Sequence, residues 1–556
     1  MKAIGFDFGT TNSTICFLTE AHGFEMIESF KPAINASDYI PSIVAYVAYE
    51  KNDKGGPRNI LIGSSAVDKL TASRFESYEN FKLLLGRDFD KAIDEGNGKN
   101  KTPIQVTQDY IEKLLELYKS RCNIGELERI VMTVPDAWFR GEEKGVLRES
   151  IENIYRGLEI DGFGVQLESE PISAAIYFCY AYEHNIDAQH RAINPDDKKY
   201  DGSILVIDYG GGTLDVALCK VEENAENEYA VRVLERKGFG EYGETNGCAG
   251  VAFDEAVVER LIRNNGLTVS TNKNDRQFIR MRRAFEKNKI NYSELIAKMM
   301  VAYYDDHDAV AGRELFSFEY GSDGNEVEVF CEDLAVCFEQ VCAPRLKDSL
   351  RDVVASFGNH GIERQDRKKF KILLVGGFSN FISVEIEVKK FFGCEAMDAD
   401  DRFRQPFQMM DRSLAISKGA ALLANKEKGV IIETCSHNYG FFMITKKEDD
   451  KWEEICVPLI QKYTDVKETT NPIYSDRFVR IKNKSGTLTL YKDAVQHDDS
   501  GVERITLSID KLMKNFDSKY DEYQIGLSVN RFSFEKVYIR DKSGTEASLP
   551  LKELII

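Results

Sequence analysis

Two stretches of the chain repeat one arrangement of apolar and polar positions. Ala3 to Phe8 is an apolar run that carries a carboxylate, Asp7, at its end. A polar turn follows, Gly9-Thr10-Thr11-Asn12, and Ser13 to Leu18 is apolar again. Roughly 200 residues later the pattern returns as Ser203 to Tyr209, Gly210-Gly211-Gly212-Thr213 and Leu214 to Val221, with Asp208 in the place of Asp7. Apolar runs of this length around a Gly/Thr turn predict strand–turn–strand hairpins. A repeat at this separation predicts two similar lobes facing each other. A third strand, Ile372 to Val375, runs into Gly376-Gly377-Phe378-Ser379, and a helix is expected from about Phe381. Strands alternate with helices as far as about Ala424, which marks an α/β region.

The pattern changes after Lys428. Short alternating strands are expected at Tyr439 to Ile444, Phe478 to Ile481, Thr487 to Tyr491, Arg504 to Ile509, Tyr523 to Val529 and Lys536 to Ile539. Turn residues separate them, including Lys484-Ser485-Gly486 and Asp498-Asp499-Ser500-Gly501, and only Lys511 to Phe516 reads as helix. Residues 1–428 are thus expected to form a two-lobed α/β domain, with lobes of roughly 1–200 and 201–428. Residues 429–556 are expected to form a small β-sandwich-like domain. The polar stretch Asp187 to Asp201 reads as a surface loop.

Composition narrows the function. At 556 residues the chain exceeds one core, and 43% hydrophobic with 30% charged residues suits folded domains. A net charge of −19 repels phosphate backbones, so no nucleic-acid partner is expected. Arg276, Arg280, Arg282 and Arg283 read as a solvated helix face. The 11 cysteines and seven histidines are scattered, without a metal-ligand spacing. No secretory segment or membrane span is expected, which points to the cytoplasm.

The turns suggest the chemistry. Glycine lets backbone N–H groups approach a phosphate, and threonine hydroxyls add donors. A strand-end aspartate holds Mg²⁺, usually through water, rather than the anion itself. Two such turns, one per lobe, would clamp the phosphates of a nucleotide from opposite sides.

Six ordered segments resemble the heat-shock protein 70 family of the actin-like ATPase superfamily. Gly5 to Ser13 is similar to its first phosphate segment, Val206 to Asp215 to the second, and Leu374 to Ser379 to the adenosine segment. Phe81-Lys82-Leu83-Leu84-Leu85-Gly86-Arg87 resembles the segment with the catalytic lysine. Thr133-Val134-Pro135 with Trp138-Phe139 resembles the hinge-proline segment, and Glu168 to Ala175 the Glu-Pro connector. The resemblance implies an actin-like, ribonuclease-H-like ATPase fold and a slow, Mg-dependent ATPase using ATP/ADP. Asp7, Asp208 and Asp215 would arrange Mg²⁺ and water; Thr10, Thr11 and Thr213 would contact phosphate. Lys82 would meet the γ-phosphate, Glu170 would position water or metal, and Pro135 would belong to a switch sensing Glu170. Gly9, Asn12, Gly210, Gly211 and Gly212 would cradle phosphates. Glu286, Lys289 and Ser293, on one helix face at i, i+3 and i+7, would meet ribose and base together with Gly376, Gly377 and Ser379.

Departures from the family are visible too. Asn380 and Ile290 stand where the family carries basic contacts to the base, and Gly247 and Gly250 replace its further Gly-Gly turn. Val430-Ile431-Ile432 reads as a plain strand. No helical lid run follows the β-rich tail, which resembles the divergent branch of the heat-shock 70 kDa protein 12 type. The expectation is a chaperone-like protein binding polypeptide segments or a specific protein client, with a co-chaperone or nucleotide-exchange partner. A non-hydrolysing nucleotide sensor and, at lower weight, a small-molecule kinase are the alternatives.

Overall fold

The computed structural model describes residues 2–19, 23–26, 39–47, 60–72, 74–85, 91–93, 101–121, 127–136, 165–184, 199–223, 229–239, 247–310, 312–320, 325–362, 369–393, 412–425, 430–432, 434–435, 437–446, 451–481, 486–493, 502–516, 519–530 and 535–556. Gly86, Arg87, Trp138, Phe139, Lys428, most of the 187–201 loop and the turns at 484–485 and 498–501 lie outside them. The chain divides into two compact units, one mainly within residues 1–430 and one mainly within 431–556.

The larger unit is built on two sheets of matching design. In the first, strands β1 (Lys2–Asp7), β2 (Asn12–Leu18), β3 (Phe24–Met26), β4 (Leu127–Val134) and β5 (Val165–Ser169) run in the order β3-β2-β1-β4-β5. In the second, β6 (Gly202–Tyr209), β7 (Leu214–Glu223), β8 (Tyr229–Phe239) and β9 (Phe370–Val375) run β9-β6-β7-β8. Each central strand has the same neighbours: β1 pairs antiparallel with β2 and parallel with β4, and β6 pairs antiparallel with β7 and parallel with β9. Register puts Asp7 opposite Thr14 and Thr133, and Asp208 opposite Asp215 and Val375. β6 is buried along its whole length, so it reads as a continuous apolar run, the signature of a strand covered on both faces.

Helices cover these sheets and fix their spacing. Helix α1 (Phe81–Leu85) carries Lys82, α2 (Glu170–His184) starts on Glu170, and α3 (Gly250–Asn264) begins on Gly250. Then come α4 (Arg276–Asn291), α5 (Ser293–Asp305), α6 (Ile382–Phe391) and α7 (Ala415–Ala424). Helix α7 lies so close to β1 that a Cβ at Gly5 would run into the backbone of Ser417, Ala420 and Ala421. Only glycine fits such a backbone approach. Among the described residues no helix is long and apolar enough to cross a membrane.

The smaller unit holds two four-stranded antiparallel sheets. One orders β10 (Tyr439–Lys446), β11 (Trp452–Ile460), β13 (Thr487–Asp493) and β14 (Val502–Ser508) as β11-β10-β13-β14; the other runs β12 (Ile473–Arg480), β15 (Glu522–Val529), β16 (Glu535–Asp541), β17 (Glu546–Pro550). Both sheets contribute to one buried cluster, with Phe441, Leu490 and Leu507 from the first and Tyr523, Ile525 and Ile539 from the second. The sequence pattern starts β12 late, at Phe478, and leaves β17 unmarked. In β11 exposure alternates along the strand, with Trp452, Glu454, Cys456 and Pro458 facing out, the mark of a strand half in solvent.

Candidate functional site

The two hairpin turns face each other across a cleft of about 670 Å³ in the larger unit. A Cβ at Gly211 would lie 2.7 Å from the Thr11 side chain, and one at Gly212 would collide with Thr10 Oγ1. The cleft is lined by Asp7, Gly9, Thr10, Thr11, Asn12, Lys82, Glu170, Asp208, Gly210, Gly211, Gly212 and Thr213 at this end. Towards the other end stand Glu286, Lys289, Ser293, Gly376, Gly377, Phe378 and Asn380. Local structure makes the turns: Gly210 N–H donates to the Thr213 carbonyl, and Ser42 Oγ donates to the Gly9 carbonyl at 2.7 Å.

Four ionisable groups crowd the glycine-turn end. Lys82 Nζ donates to Glu170 Oε1 at 2.7 Å, with both residues buried. Burial works against the lysine's charge, but Glu170 and Asp7 together hold it above its ordinary value. The Phe8 ring, 5.5 Å from Nζ, orients it. Asp7 Oδ1 accepts from Thr133 Oγ1 at 3.2 Å. Burial, with Glu170 nearby, pushes the Asp7 carboxyl up to about 7. Asp208 is pushed well above the carboxylate range by burial and then by Glu170, Asp215 and Asp7. Its Oδ2 is buried and makes no hydrogen bond among the described residues.

That arrangement fits Mg²⁺ with a polyphosphate. A buried carboxylate oxygen without a donor, in a cluster short of positive charge, is compensated by a cation. Among the described residues no three His, Cys, Asp or Glu side chains form a direct ligand set. Mg²⁺ keeps several waters and shares its sphere with phosphate oxygens, so it needs no all-protein cage.

Three expected positions differ in detail. Asp215 is fully buried beside Asp208 on β7 and is not among the residues lining the cleft. Ser379 is also fully buried and away from the lining; its hydroxyl donates to the Val375 carbonyl, ending β9 rather than facing a ligand. Ser293 does line the cleft, but not from the helix that carries Glu286 and Lys289. Helix α4 stops at Asn291, where Tyr292 stacks on Phe316 at 5.4 Å, and Ser293 opens α5. Of the expected glycines, Gly250 reaches the cleft, its N–H donating to the Gly210 carbonyl, whereas Gly247 is not in the lining.

Sequence reading missed two charge contacts. Lys289 pairs with the buried Asp254, whose carboxyl burial pushes up to about 6. Lys289 also lies within 6 Å of the Phe253, Phe285 and Phe378 rings. The arginines expected on a solvated face divide. Arg276 and Arg280 are exposed, but Arg282 is buried and Arg283 half-buried, and both grip Glu79 at 2.5 and 2.6 Å. The signal was the helical spacing of Arg282 with Phe278, Met281 and Phe285, which puts it on the buried face. Phe378 packs among Tyr209, Phe253 and Phe381, with a centroid distance of 5.1 Å to Tyr209.

Comparison with known proteins gives the relatives. A model of the family described as Hsp70 protein matches residues 3–431. The chain is 25% identical over 426 residues to the protein named chaperone protein DnaK from Thermotoga petrophila, and equally to those of Thermotoga sp. strain RQ2 and Thermotoga maritima. Each match covers 76% of this chain and 59% of the relative's length.

Proposed function

We propose that this chain, which belongs to the Hsp70 family, binds Mg-ATP between its two hairpin turns, hydrolyses it slowly and couples nucleotide state to holding protein segments. The observation that carries this reading is the buried Lys82–Glu170 pair beside Asp7 and Asp208, in one cleft with both glycine turns. Phosphoryl transfer needs positioning and fixed charge more than covalent chemistry. In this reading, N–H groups of Gly210 to Thr213 and the hydroxyls of Thr10, Thr11 and Thr213 hold the phosphates. Lys82 moves its positive charge from Glu170 towards the γ-phosphate, and the released Glu170 carboxylate orients the attacking water. Bound Mg²⁺ would screen phosphate charge, with Asp7 and Asp208 holding its waters and Asp215 supporting Asp208 from behind. Gly376 and Gly377, with Glu286, Lys289 and Ser293, would receive the nucleoside.

The smaller unit suits the client-binding role, and its shared core supports a β-sandwich. Its edge strands offer unpaired backbone groups to an extended peptide. The tail's similarity to the branch of the heat-shock 70 kDa protein 12 type, a cytoplasmic setting and a co-chaperone or exchange partner complete the proposal.

A single-turnover assay with [γ-³²P]ATP tests it. Slow, Mg-dependent release of phosphate is expected, falling about 100- to 1,000-fold in Lys82→Ala. Tight ATP binding without turnover would replace the hydrolysing cycle by nucleotide sensing. Transfer of the label to a small molecule would indicate a kinase. Fluorescent unfolded peptides binding the full chain with nucleotide-dependent release would support the chaperone part.

A further inference from the structure

Behind the Lys82–Glu170 pair lies a second buried carboxylate that the reading above leaves unused. Asp136 follows β4 by two residues and is fully buried. Ser169 Oγ donates to its Oδ1 at 2.5 Å. Ser169 is the last residue of β5 and precedes Glu170, the first residue of α2. The same hydroxyl accepts from the Ile172 N–H at 3.4 Å, so Ser169 sits as the cap of α2. On its other side Asp136 faces Arg236, with Nε 3.7 Å from Oδ2 and only 9% of the arginine side chain exposed. Arg236 belongs to β8, in the sheet of Asp208, whereas Asp136 and Ser169 extend the sheet of Asp7.

A buried carboxylate is costly unless its charge is answered, and here the answers come from different sides. The serine hydroxyl and the start of α2 belong to one lobe, and the guanidinium belongs to the other. The 3.7 Å separation is an ion pair without a formed hydrogen bond, a contact that a small rotation of the lobes would tighten or break. The chain of contacts is short: Arg236, Asp136, Ser169, then Glu170 by the backbone, then Lys82.

We propose that Asp136 is a positioning residue that reports the relative rotation of the two lobes to Glu170, through the Ser169 hydroxyl on one side and the Arg236 guanidinium on the other. This rests on the hydrolytic role of Lys82 and Glu170 given above. Asp136→Asn keeps an acceptor for Ser169 and removes only the charge that meets Arg236. Ser169→Ala removes the hydroxyl link. Asp136→Asn/Arg236→Gln removes both charges of the pair.

The test uses the full chain. In single-turnover assays Asp136→Asn is expected to slow hydrolysis about tenfold, with calorimetric Kd for Mg-ADP changed less than about threefold. The double variant should match the single one, because the charges act as a pair. A rate within twofold of the parent, or a Kd weakened as much as the rate, overturns the proposal. Should the parent bind nucleotide without hydrolysing it, the hydrolytic reading fails, and Lys82 acylation, read by mass spectrometry on nucleotide-free protein, decides the positioning role. Labelling of Lys82 should then rise about fivefold in Asp136→Asn and Ser169→Ala, with Lys289 unchanged as the internal control. Unchanged labelling at Lys82 overturns the proposal.

Discussion

The first and second hairpins share a plan but not an environment. Asp7 has a donor, Thr133, and a cation close by, Lys82. Asp208 has an oxygen without a hydrogen bond and three carboxylates around it. The aromatic residue after each aspartate also serves differently. Phe8 packs on Phe81 and Tyr110 and lies under Lys82. Tyr209 donates to the Cys248 carbonyl at 2.5 Å and meets Phe378 edge-on. The repeat therefore supplies symmetric backbone cradles and asymmetric partners: Lys82 acts on both aspartates, but only Asp7 has a hydroxyl donor, and an oxygen of Asp208 is left for an arriving cation.

Substitution of the two aspartates is the strongest test of that difference. Asp208→Asn is expected to weaken Mg-dependent ADP binding about 100-fold and Asp7→Asn about 10-fold, the range for groups that act through metal-bound water. Equal losses in calorimetry would show that the two halves share the cation evenly. Gly376→Ala probes the packing behind Asp208. Gly376 has φ of 85°, and a Cβ there would lie 2.7 Å from the Tyr209 carbonyl carbon and against the Asp208 carboxylate. A loss of about 2–3 kcal/mol is expected in urea unfolding, from strain and overlap together. No loss would mean that β6 and β9 yield freely.

The pH dependence sharpens the first half. The Asp7 carboxyl is raised from 3.8 to about 7, so the folded chain holds a proton that the unfolded chain has released. In the absence of metal this contribution to stability is therefore present at acid pH and is lost as pH rises from about 4 to about 7. Mg-ADP needs the ionised form, so its affinity should climb up to about tenfold per pH unit below about 7 and level off above it. Asp7→Asn should flatten that slope in calorimetry between pH 5.5 and 8. The smallest effect is expected at the clasp between lobes. Burial works against the charge of Glu79, but Arg282 and Arg283 hold its carboxyl below the usual range. Glu79→Gln should speed release of fluorescent ADP about fivefold in stopped flow, with both hairpins intact.

Much of the α/β unit was legible because its signals are local. Asp7, Asp208 and the glycine turns announce themselves by strand periodicity and turn chemistry. What was not legible depends on where a helix stops or which way it faces. Ser293 shares helical spacing with Glu286 and Lys289, yet the Tyr292–Phe316 stack ends the helix between them. Ser379 sits in the glycine segment, but its hydroxyl turns to the Val375 carbonyl. Glu79 lies 203 positions before Arg282, and no local pattern joins residues so far apart. In the β-rich unit, β11 turns Trp452, Cys456 and Pro458 outward as well as Glu454, and β17 is five residues long, so neither shows a clean apolar alternation.

The touching glycine turns carry one more consequence. At Gly211 and Gly212 the two halves of the molecule meet with no atoms to spare. A single methyl group at either place would meet the Thr11 side chain, or Thr10 and Leu83, and turn those side chains aside before it moved any backbone. Alanine there would thus be a genetic means of displacing the two threonine hydroxyls, separable from any loss of charge.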